Sequence, residues 1–342
     1  MKREGKMVPI CLAMLAPALL LMLSSPLPAT AQTSALASTK PNPVVLKVAT
    51  FVPLHTPENM GLLTLIDKVN NKAKGELVIE AVGPEAIPAF QQFEALRNGV
   101  VQMDNTPGNY YGAKVTNTAY EHLIKLTPWE LRKTGYYDLK NKILKKHNVY
   151  QLGMVLHSLP FYLWLKSPIQ KPQELAGKKI RVSPVYIPFI KALGANPVVI
   201  PPPDVYAALE RGVVDGFCWS ALGVHDFGWQ EACKYIIVPG FYQAYTDLLI
   251  NLDTWNRLPR TLQNLLQNAV NENERETASL YAQALKKEWE KHRASGVKSI
   301  EFSTADAKWY VDLAYSAGWR DVMKNIRPPE LGPKLKEIFM KR

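Results

Sequence analysis

Apolar positions along the chain alternate between two spacings, one typical of short strands and one typical of helices. Val44–Thr50 is an apolar run of strand length, and the segment after it carries apolar side chains at helical spacing up to Gly75. The same patterns predict further strands at Glu76–Val82, Val100–Asp104, Lys179–Val182, Asn196–Ile200, Val213–Cys218 and Asp247–Leu252. They predict helices at Ile87–Asn98, Val185–Leu193 and Asp204–Arg211. This alternation is typical of an α/β fold with largely parallel sheets.

Two segments of the chain share the pattern A-L-x-x-G-V-V. They are Ala95–Val101 and Ala208–Val214, which lie 113 positions apart. Each reads as a helix end, a glycine cap and a buried strand. The sequence therefore predicts two similar lobes, each a parallel-rich sheet with flanking helices, and a ligand cleft between the carboxyl ends of their strands. A chance match over five positions is the alternative.

The C-terminal part of the sequence is predicted to be helical. From Pro259 to Ala294 the chain contains no breaker, and Gly296 follows directly after this segment. Such a helix would be roughly 50 Å long, which is enough to run along both lobes. Thr304 is predicted to cap a further helix at Ala305–Lys324.

The first 31 residues carry the pattern of a secretory signal peptide. Basic residues at the start precede the apolar run Met7–Leu23, and Ala29–Ala31 supplies a small-x-small cleavage site. The apolar run contains two prolines and is shorter than a membrane span, so a permanent anchor is the weaker interpretation. Residues 32–43 are predicted to be a disordered lead-in. We therefore expect a periplasmic protein that begins at Gln32.

Composition and motifs exclude several functional classes. The chain has 342 residues, 47% of them hydrophobic, and a net charge of +11, but its basic residues form no dense stripe. A nucleic-acid partner is therefore not expected, whereas a diffuse positive field suits small anions. The sequence has no nucleophile elbow, phosphate loop or zinc-protease motif, and no two of its six histidines have metal-ligand spacing. We expect no enzyme activity and no cofactor.

Cysteine usage leaves one question open. Without the signal peptide the chain retains Cys218 and Cys233, and export to an oxidising compartment would permit a disulfide between them. A predicted helix between the two positions makes the geometry of such a bond uncertain. Both the bonded and the free state stay open at this point.

Three further motifs resemble the extracytoplasmic solute-binding proteins of tripartite ATP-independent periplasmic (TRAP) transporters. They are Leu175–Val182 (LAGKKIRV), Leu209–Gly216 (LERGVVDG) and Asn251–Pro259 (NLDTWNRLP), in the family's order and spacing. The resemblance covers roughly residues 44–334. It implies a periplasmic binding protein fold with a hinge, in which residues 44–157 and 245–258 form lobe I and 158–244 form lobe II. Residues 259–342 would then pack on both lobes.

The resemblance also implies the function and its central residue. It implies capture of a small organic acid, delivery of that acid to the membrane subunits of a TRAP transporter, and a monomeric or homodimeric protein. Arg181 occupies the position of the family's carboxylate-binding arginine. A planar guanidinium matches a carboxylate with two parallel donors, and we expect it to face the cleft. The alternative is a surface arginine on an edge strand.

Two departures from the family pattern narrow the range of expected ligands. Pro160 lies near the position where members that resemble C4-dicarboxylate binders carry a second arginine. The residues Phe217, Cys218 and Trp219, together with His225-Asp226, resemble the subgroup that binds 2-oxo or 2-hydroxy monocarboxylates. In that subgroup the tryptophan forms a wall of the pocket. The residues expected to bind substrate are therefore Arg181, Phe217, Cys218, Trp219, Gln243 and Tyr245.

The same subgroup implies a cation beside the acid, held by a glutamate and a glutamine. Here Cys218 stands at the glutamate position and Pro160 near the glutamine, and neither offers a hard oxygen ligand for Na⁺ or Ca²⁺. We therefore expect no resident cation, although Gln243, Asp226 or backbone carbonyls leave that possibility open. An exported enzyme or a sensor-linked ligand trap on the same fold is the alternative function.

Overall fold

The computed structural model describes residues 42–115 and 120–340. The predicted signal peptide, its cleavage site and most of the predicted lead-in lie outside these ranges. Within the described part of the chain, no helix has both the length and the apolar character that a membrane span requires.

Strands and helices alternate along most of the chain, as the sequence predicts. The strands are β1 (Val44–Thr50), β2 (Leu77–Val82), β3 (Met103–Thr106), β4 (Val149–Leu165), β5 (Lys179–Val182), β6 (Asn196–Val199), β7 (Gly216–Ser220), β8 (Tyr235–Val238), β9 (Gln243–Asn251) and β10 (Lys298–Glu301). The helices before β5 are α1 (Met60–Lys72), α2 (Gln92–Arg97), α3 (Gly108–Tyr111), α4 (Pro128–Leu131) and α5 (Tyr136–Leu144). Those after β5 are α6 (Ile187–Ala192), α7 (Val205–Glu210), α8 (Trp229–Ala232), α9 (Leu252–Arg257), α10 (Arg260–Ala294), α11 (Thr304–Asn325) and α12 (Leu331–Met340).

Two groups of parallel strands are joined by two antiparallel strands. The order is β2-β1-β3-β9-β4-β7-β5-β6, and β8 pairs with both β4 and β10. β1 is parallel to β2 and β3, and β5 is parallel to β6 and β7. The 17-residue β4 pairs with β9 over Val149–Pro160 and with β7 over Phe161–Leu165. The predicted α/β class is confirmed, but the sequence patterns did not reveal the strand that connects both groups.

The repeated A-L-x-x-G-V-V segment is a helix-ending motif. Gly99 and Gly212 have φ of 75° and 69°, a left-handed conformation that glycine adopts without strain. The Val100 N–H donates to the Ala95 carbonyl at 2.9 Å, and the Val213 N–H donates to the Ala208 carbonyl at the same distance. This is the Schellman arrangement of bonds. The prediction that a buried strand follows at once was wrong, because the first valine of each pair is exposed and the strands begin at Met103 and Gly216.

The long C-terminal helix is present as predicted, and it contacts elements of both strand groups. α10 has 35 residues, begins after Pro259 and ends shortly before Gly296. In its first half, the Asn273 amide donates to the Gly61 carbonyl of α1 at 3.0 Å. In its last turn, His292 Nε2 lies 2.7 Å from the Ala221 carbonyl after β7.

The structure changes one local prediction and answers the open question about the cysteines. α11 is capped by Ser303 and not by Thr304, because the Ser303 hydroxyl accepts from the Asp306 N–H at 3.2 Å. Cys218 and Cys233 are both buried free thiols, and they belong to different apolar clusters. The structure therefore contains no disulfide between them.

Candidate functional site

The candidate site is a pocket at the carboxyl ends of two pairs of parallel strands, β1 with β3 and β5 with β7. Loops that follow β1, β3 and β5 and the last residues of β7 meet β4 and β9 there, as expected for α/β proteins. Its apolar and aromatic wall consists of Phe51, Pro107, Tyr110, Leu156, Leu159, Phe161, Val185, Tyr186, Trp219, Ala244 and Tyr245. Its polar lining includes Glu58, Asn109, Glu121, His122, Ser183, Ser220, Gln243 and Thr246. Including its mouth and the solvent there, the space between these residues is about 590 Å³.

Glu58 is held in the pocket wall by partners from three parts of the chain. The Trp219 indole N–H donates to Glu58 Oε1 at 2.9 Å, and the Tyr281 hydroxyl of α10 donates to the Glu58 carbonyl at 2.9 Å. Gly223 lies so close that an added Cβ would be 2.2 Å from Glu58 Oε1. The other carboxyl oxygen, Oε2, is buried and has no hydrogen-bond partner among the described residues. Glu58 therefore lines the pocket with one carboxyl oxygen fixed by Trp219 and the other unpaired among the described residues.

Burial raises the pKa of Glu58 to about 7, although hydrogen bonds from its own backbone and from Trp219 lower it. Desolvation disfavours the ionised form of a carboxyl, and the nearby Asp226 charge acts in the same direction. Near neutral pH, Glu58 thus carries a proton in about half of the molecules. The protonated form can donate a hydrogen bond from Oε2.

We expect Glu58→Gln to stabilise the protein at alkaline pH. A folded pKa above the unfolded value of 4.5 means that the fold binds the proton more tightly, so wild-type stability falls as pH rises from 4.5 through about 7. A shift of this size corresponds to roughly 3 kcal/mol at pH 8. Glutamine keeps the acceptor for Trp219 but does not ionise. Urea unfolding of both proteins between pH 5 and 8 measures the difference.

The exposed Glu76, which lies between α1 and β2, provides a matched control. Glu76→Gln should leave the pH dependence of unfolding unchanged. A Glu58→Gln variant whose unfolding free energy differs from that of wild type by the same amount at pH 5 and pH 8 would contradict the raised pKa.

Arg181 is wholly buried on β5, beside the side chains that line the candidate pocket and not among them. Nε donates to the Ile200 carbonyl at 2.8 Å and Nη1 donates to the Cys218 carbonyl at 3.3 Å. The guanidinium carbon lies 5.3 Å from the centroid of the Trp219 ring. No carboxylate of the described residues lies within 4.0 Å of the guanidinium, and Nη2 has no hydrogen-bond partner there. The alternative of a surface arginine on an edge strand is therefore wrong.

Arg181 adjoins the pocket through two side chains of its wall. Trp219 is one of them, and the Tyr110 hydroxyl is the other. Burial raises the pKa of Tyr110, and the Arg181 charge lowers it in part. The Tyr110 hydroxyl has no hydrogen-bond partner of good geometry within the described ranges. A cationic donor and a hydroxyl donor thus lie together beside the pocket.

The remaining residues expected from the sequence separate into two groups. Trp219, Gln243 and Tyr245 line the pocket, whereas Phe217 and Cys218 do not. The Phe217 ring stacks on Trp164 at 5.5 Å within an apolar cluster, and Cys218 lies in another cluster. Burial raises the pKa of the Cys218 thiol, so it stays protonated. In this structure Cys218 reaches Arg181 through its backbone carbonyl only.

A buried charge network lies next to the pocket and includes its lining residue Glu121. Lys140 forms ion pairs with Glu121 and, at 2.8 Å, with Asp247 Oδ2. Asp247 also accepts from the Tyr111 hydroxyl at 2.5 Å and from the Gln151 amide at 2.6 Å. This network connects α5 and the segment after β3 with β4 and β9, two strands that contribute to the pocket wall.

Residues 130–316, more than half of the chain, match the model of the DctP family, whose description is bacterial extracellular solute-binding protein, family 7. The chain belongs to this family. It is 27% identical over 252 residues to a monocarboxylate 2-oxoacid-binding periplasmic protein of Nostoc sp. strain PCC 7120, across 70% of this chain and 68% of the relative. The resemblance to TRAP transporter solute-binding proteins that the sequence motifs predicted is confirmed.

Solved structures show that this solute-binding protein has the predicted two-lobed fold. A TRAP periplasmic solute-binding protein from Desulfovibrio salexigens with bound orotic acid has a TM-score of 0.79 and 19% identity, and the match covers 87% of this chain and 99% of that one. A TRAP transporter protein from Bordetella bronchiseptica with copurified calcium and picolinate has a TM-score of 0.73 and 22% identity, over 87% and 92% of the two chains. Which residues belong to which lobe stays a prediction.

The two positions that the subgroup resemblance implies for a cation beside the ligand do not suit a hard ion in this family member. Cys218 presents a buried, protonated thiol that does not line the pocket, and Pro160 has no side-chain donor. Gln243 does line the pocket, whereas Asp226 is exposed on the loop after β7. The residues at the expected cation positions therefore do not form a set of hard oxygen ligands.

Sequence reasoning missed several pocket residues of this solute-binding protein, above all Glu58, Tyr110 and Ser183. Each follows the carboxyl end of a parallel strand, namely β1, β3 and β5. That position is where α/β proteins bind ligands, so the strand assignment contained a usable signal. Glu121 and His122 carried no such signal, because they lie in a segment without a predicted strand.

Proposed function

We propose that this family member captures a small organic acid with a single carboxylate in the periplasm and delivers it to the membrane subunits of a TRAP transporter. The ligand class that fits best is a 2-oxo or 2-hydroxy monocarboxylate. Family membership supports binding of a solute, and the chemistry of this pocket supports the class of solute.

The observation that carries the proposal is the environment of Arg181. It is a fully buried cation without a carboxylate partner in the described structure, and it retains one unused donor beside the pocket. Burying an unpaired charge is costly, so such a group favours a ligand that brings a negative charge. A carboxylate meets this requirement and accepts the parallel donors of a guanidinium.

A second oxygen on the ligand suits the other polar groups of the pocket. The protonated form of Glu58 can donate to a 2-oxo or 2-hydroxy oxygen, and the Tyr110 and Thr246 hydroxyls are also buried without partners in the described ranges. The rest of the lining is mostly apolar and aromatic, which suits an acid with one charge better than a dicarboxylate. The Nostoc relative, named for 2-oxoacid binding, supports the same ligand class.

A thermal-shift screen of matched compounds tests the proposal. We expect 2-oxo and 2-hydroxy monocarboxylates to raise the melting temperature, while their methyl esters, which lack the charge, do not. A ligand at 100 times its Kd adds about 2.7 kcal/mol of stability when it binds only the folded state. Stabilisation by C4-dicarboxylates alone, or equal stabilisation by acids and esters, would contradict the proposed ligand class.

The alternative functions differ in what happens to the ligand. A binding protein should hold the best acid of the screen at one molecule per site and release it unchanged, whereas an enzyme should convert it. Mass spectrometry of the acid after long incubation separates the two. Uptake of the acid in vesicles that contain the TRAP membrane subunits separates transport from sensing.

A further inference from the structure

We propose that His225, Glu288 and His292 form a binding site for a transition-metal ion such as Zn²⁺. One ligand atom from each residue lies within 4.8 Å of the other two. Glu288 and His292 are four residues apart on α10 and therefore lie on one face of the helix, while His225 comes from the loop after β7. The sequence showed no metal-ligand spacing between histidines, because the third ligand comes from a distant part of the chain.

The hydrogen bonds of His292 leave one ring nitrogen ready for a metal. Its Nε2 lies 2.7 Å from the Ala221 carbonyl, which can only accept, so Nε2 carries the proton. In the neutral ring, Nδ1 then has a lone pair. His292 is 1% exposed, and its Nδ1 has no hydrogen-bond partner in the described part of the chain. A backbone carbonyl that fixes the second ring nitrogen is the usual support of a metal-bound histidine.

The contact between His225 and Glu288 leaves a place for a cation. His225 Nδ1 lies 3.0 Å from Glu288 Oε1, and His225 Nε2 lies 3.1 Å from the Ser295 hydroxyl. That hydroxyl also lies 3.1 Å from the His292 carbonyl. When the hydroxyl donates to this carbonyl, Nε2 carries the His225 proton and the Nδ1 lone pair faces a carboxylate oxygen. In that tautomer, a proton on Nδ1 or a metal ion relieves the repulsion.

A metal ion satisfies all three groups, whereas a proton between His225 and Glu288 leaves His292 Nδ1 without a partner. Two imidazole nitrogens and one carboxylate oxygen are a ligand set that zinc sites use, with a fourth position left for water. Hard ions such as Ca²⁺ prefer oxygen ligands only. Tetrahedral coordination would bring the ligand atoms to about 3.3 Å from one another, a contraction of side chains within one cluster.

The site would fix the loop after β7 to the long helix. That loop contains Gly223, which lies against Glu58, and it follows Trp219, the hydrogen-bond partner of Glu58. Lys291 holds the second Glu288 oxygen at 3.1 Å, so the carboxylate is oriented in advance. A bound metal should therefore raise the melting temperature of the protein.

Metal binding by the full mature protein, prepared without a histidine tag and stripped with a chelator, tests the proposal. After dialysis against Zn²⁺, we expect one ion per chain by elemental analysis and a higher melting temperature. Co²⁺ should give the visible absorption of a four-coordinate ion. His225→Asn and Glu288→Gln should each weaken Zn²⁺ binding at least tenfold, because loss of an outer-shell partner of a metal ligand already costs about 10- to 100-fold in affinity.

His55→Asn is the matched control, because His55 is exposed and lies outside the cluster and the pocket. It should bind Zn²⁺ like the wild type. Circular dichroism and melting of the metal-free variants check that they fold. If His225→Asn does not fold, the Zn²⁺ affinity of Glu288→Gln decides the result. A wild-type protein that retains no Zn²⁺, or folded variants that retain as much as wild type, would overturn the site and leave a histidine–glutamate ion pair.

Discussion

Arg181→Met is expected to weaken binding of the best organic acid by at least 30-fold. The ligand's carboxylate would then be buried without the cation that stabilises it, and losses of roughly 2–5 kcal/mol are typical when one partner of a buried charge pair is removed. Since 1.4 kcal/mol corresponds to a tenfold change in Kd, the lower end of this range is about 30-fold. Arg181→Lys should lose less, because an ammonium keeps the charge but not the planar pair of donors. Calorimetric titration of the three proteins measures the effect.

The effect on the ligand-free protein is the sum of two opposing changes. Methionine leaves the Ile200 and Cys218 carbonyls without the donors that Arg181 provides, which costs stability. It also removes a buried cation without a carboxylate partner in the described structure, which is a gain. We therefore expect a folded variant whose unfolding free energy changes far less than its affinity.

The exposed Arg211 at the end of α7 provides the control for net charge. Arg211→Met should bind the acid like the wild type. If folded Arg181→Met binds the acid with wild-type affinity, the carboxylate is held elsewhere in the pocket. The family assignment would survive that result, because it rests on the family match and not on Arg181.

Lys140→Met is expected to lower the free energy of unfolding by about 3–5 kcal/mol, a typical cost of removing one partner from a buried ion pair. Lys140 is 1% exposed and is the cation that neutralises both Glu121 and Asp247. Without it, two carboxylates share an apolar region and repel each other. Urea unfolding at pH 8 measures the loss.

The pH dependence separates loss of charge from loss of packing. Burial raises the pKa of Asp247 to about 6, and Lys140 lowers that pKa, so its removal should raise it further. A carboxyl with a raised folded pKa loses stability as pH rises through that pKa. The destabilisation by Lys140→Met should therefore be smaller at pH 5, where Asp247 is protonated, than at pH 8. An equal loss at both values would indicate that packing alone is responsible.

Lys142→Met is the matched control on the same helix, because Lys142 is exposed on α5. It should change the unfolding free energy little at either pH. A second variant, Lys140→Met with Asp247→Asn, should recover part of the loss at pH 8, since it removes one of the two unpaired charges.

Local sequence patterns predicted the bounds of those strands and helices whose limits depend on their own residues. β1 and β5 have the bounds that the apolar runs predict, and α10 begins after Pro259 and ends before Gly296. Proline, glycine and apolar spacing act within a few residues, so the sequence alone carries this information. β4 was not visible in this way, because it is buried along nearly its whole length and shows no alternation.

The family, and Arg181 as its candidate carboxylate-binding residue, also follow from the sequence, because the motifs of the family are local runs of residues. Whether a side chain lines the pocket does not, since that depends on residues brought together over long separations. Trp219 reaches Glu58 across 161 positions, and His225 reaches Glu288 across 63. Phe217 and Trp219 lie two residues apart on β7 and therefore share one face of the sheet, yet Phe217 stacks on Trp164 while Trp219 lines the candidate pocket. The burial of a side chain, the shift of its pKa and its place in a cluster of candidate metal ligands arise only from such contacts. For that reason, only the tertiary structure could decide them.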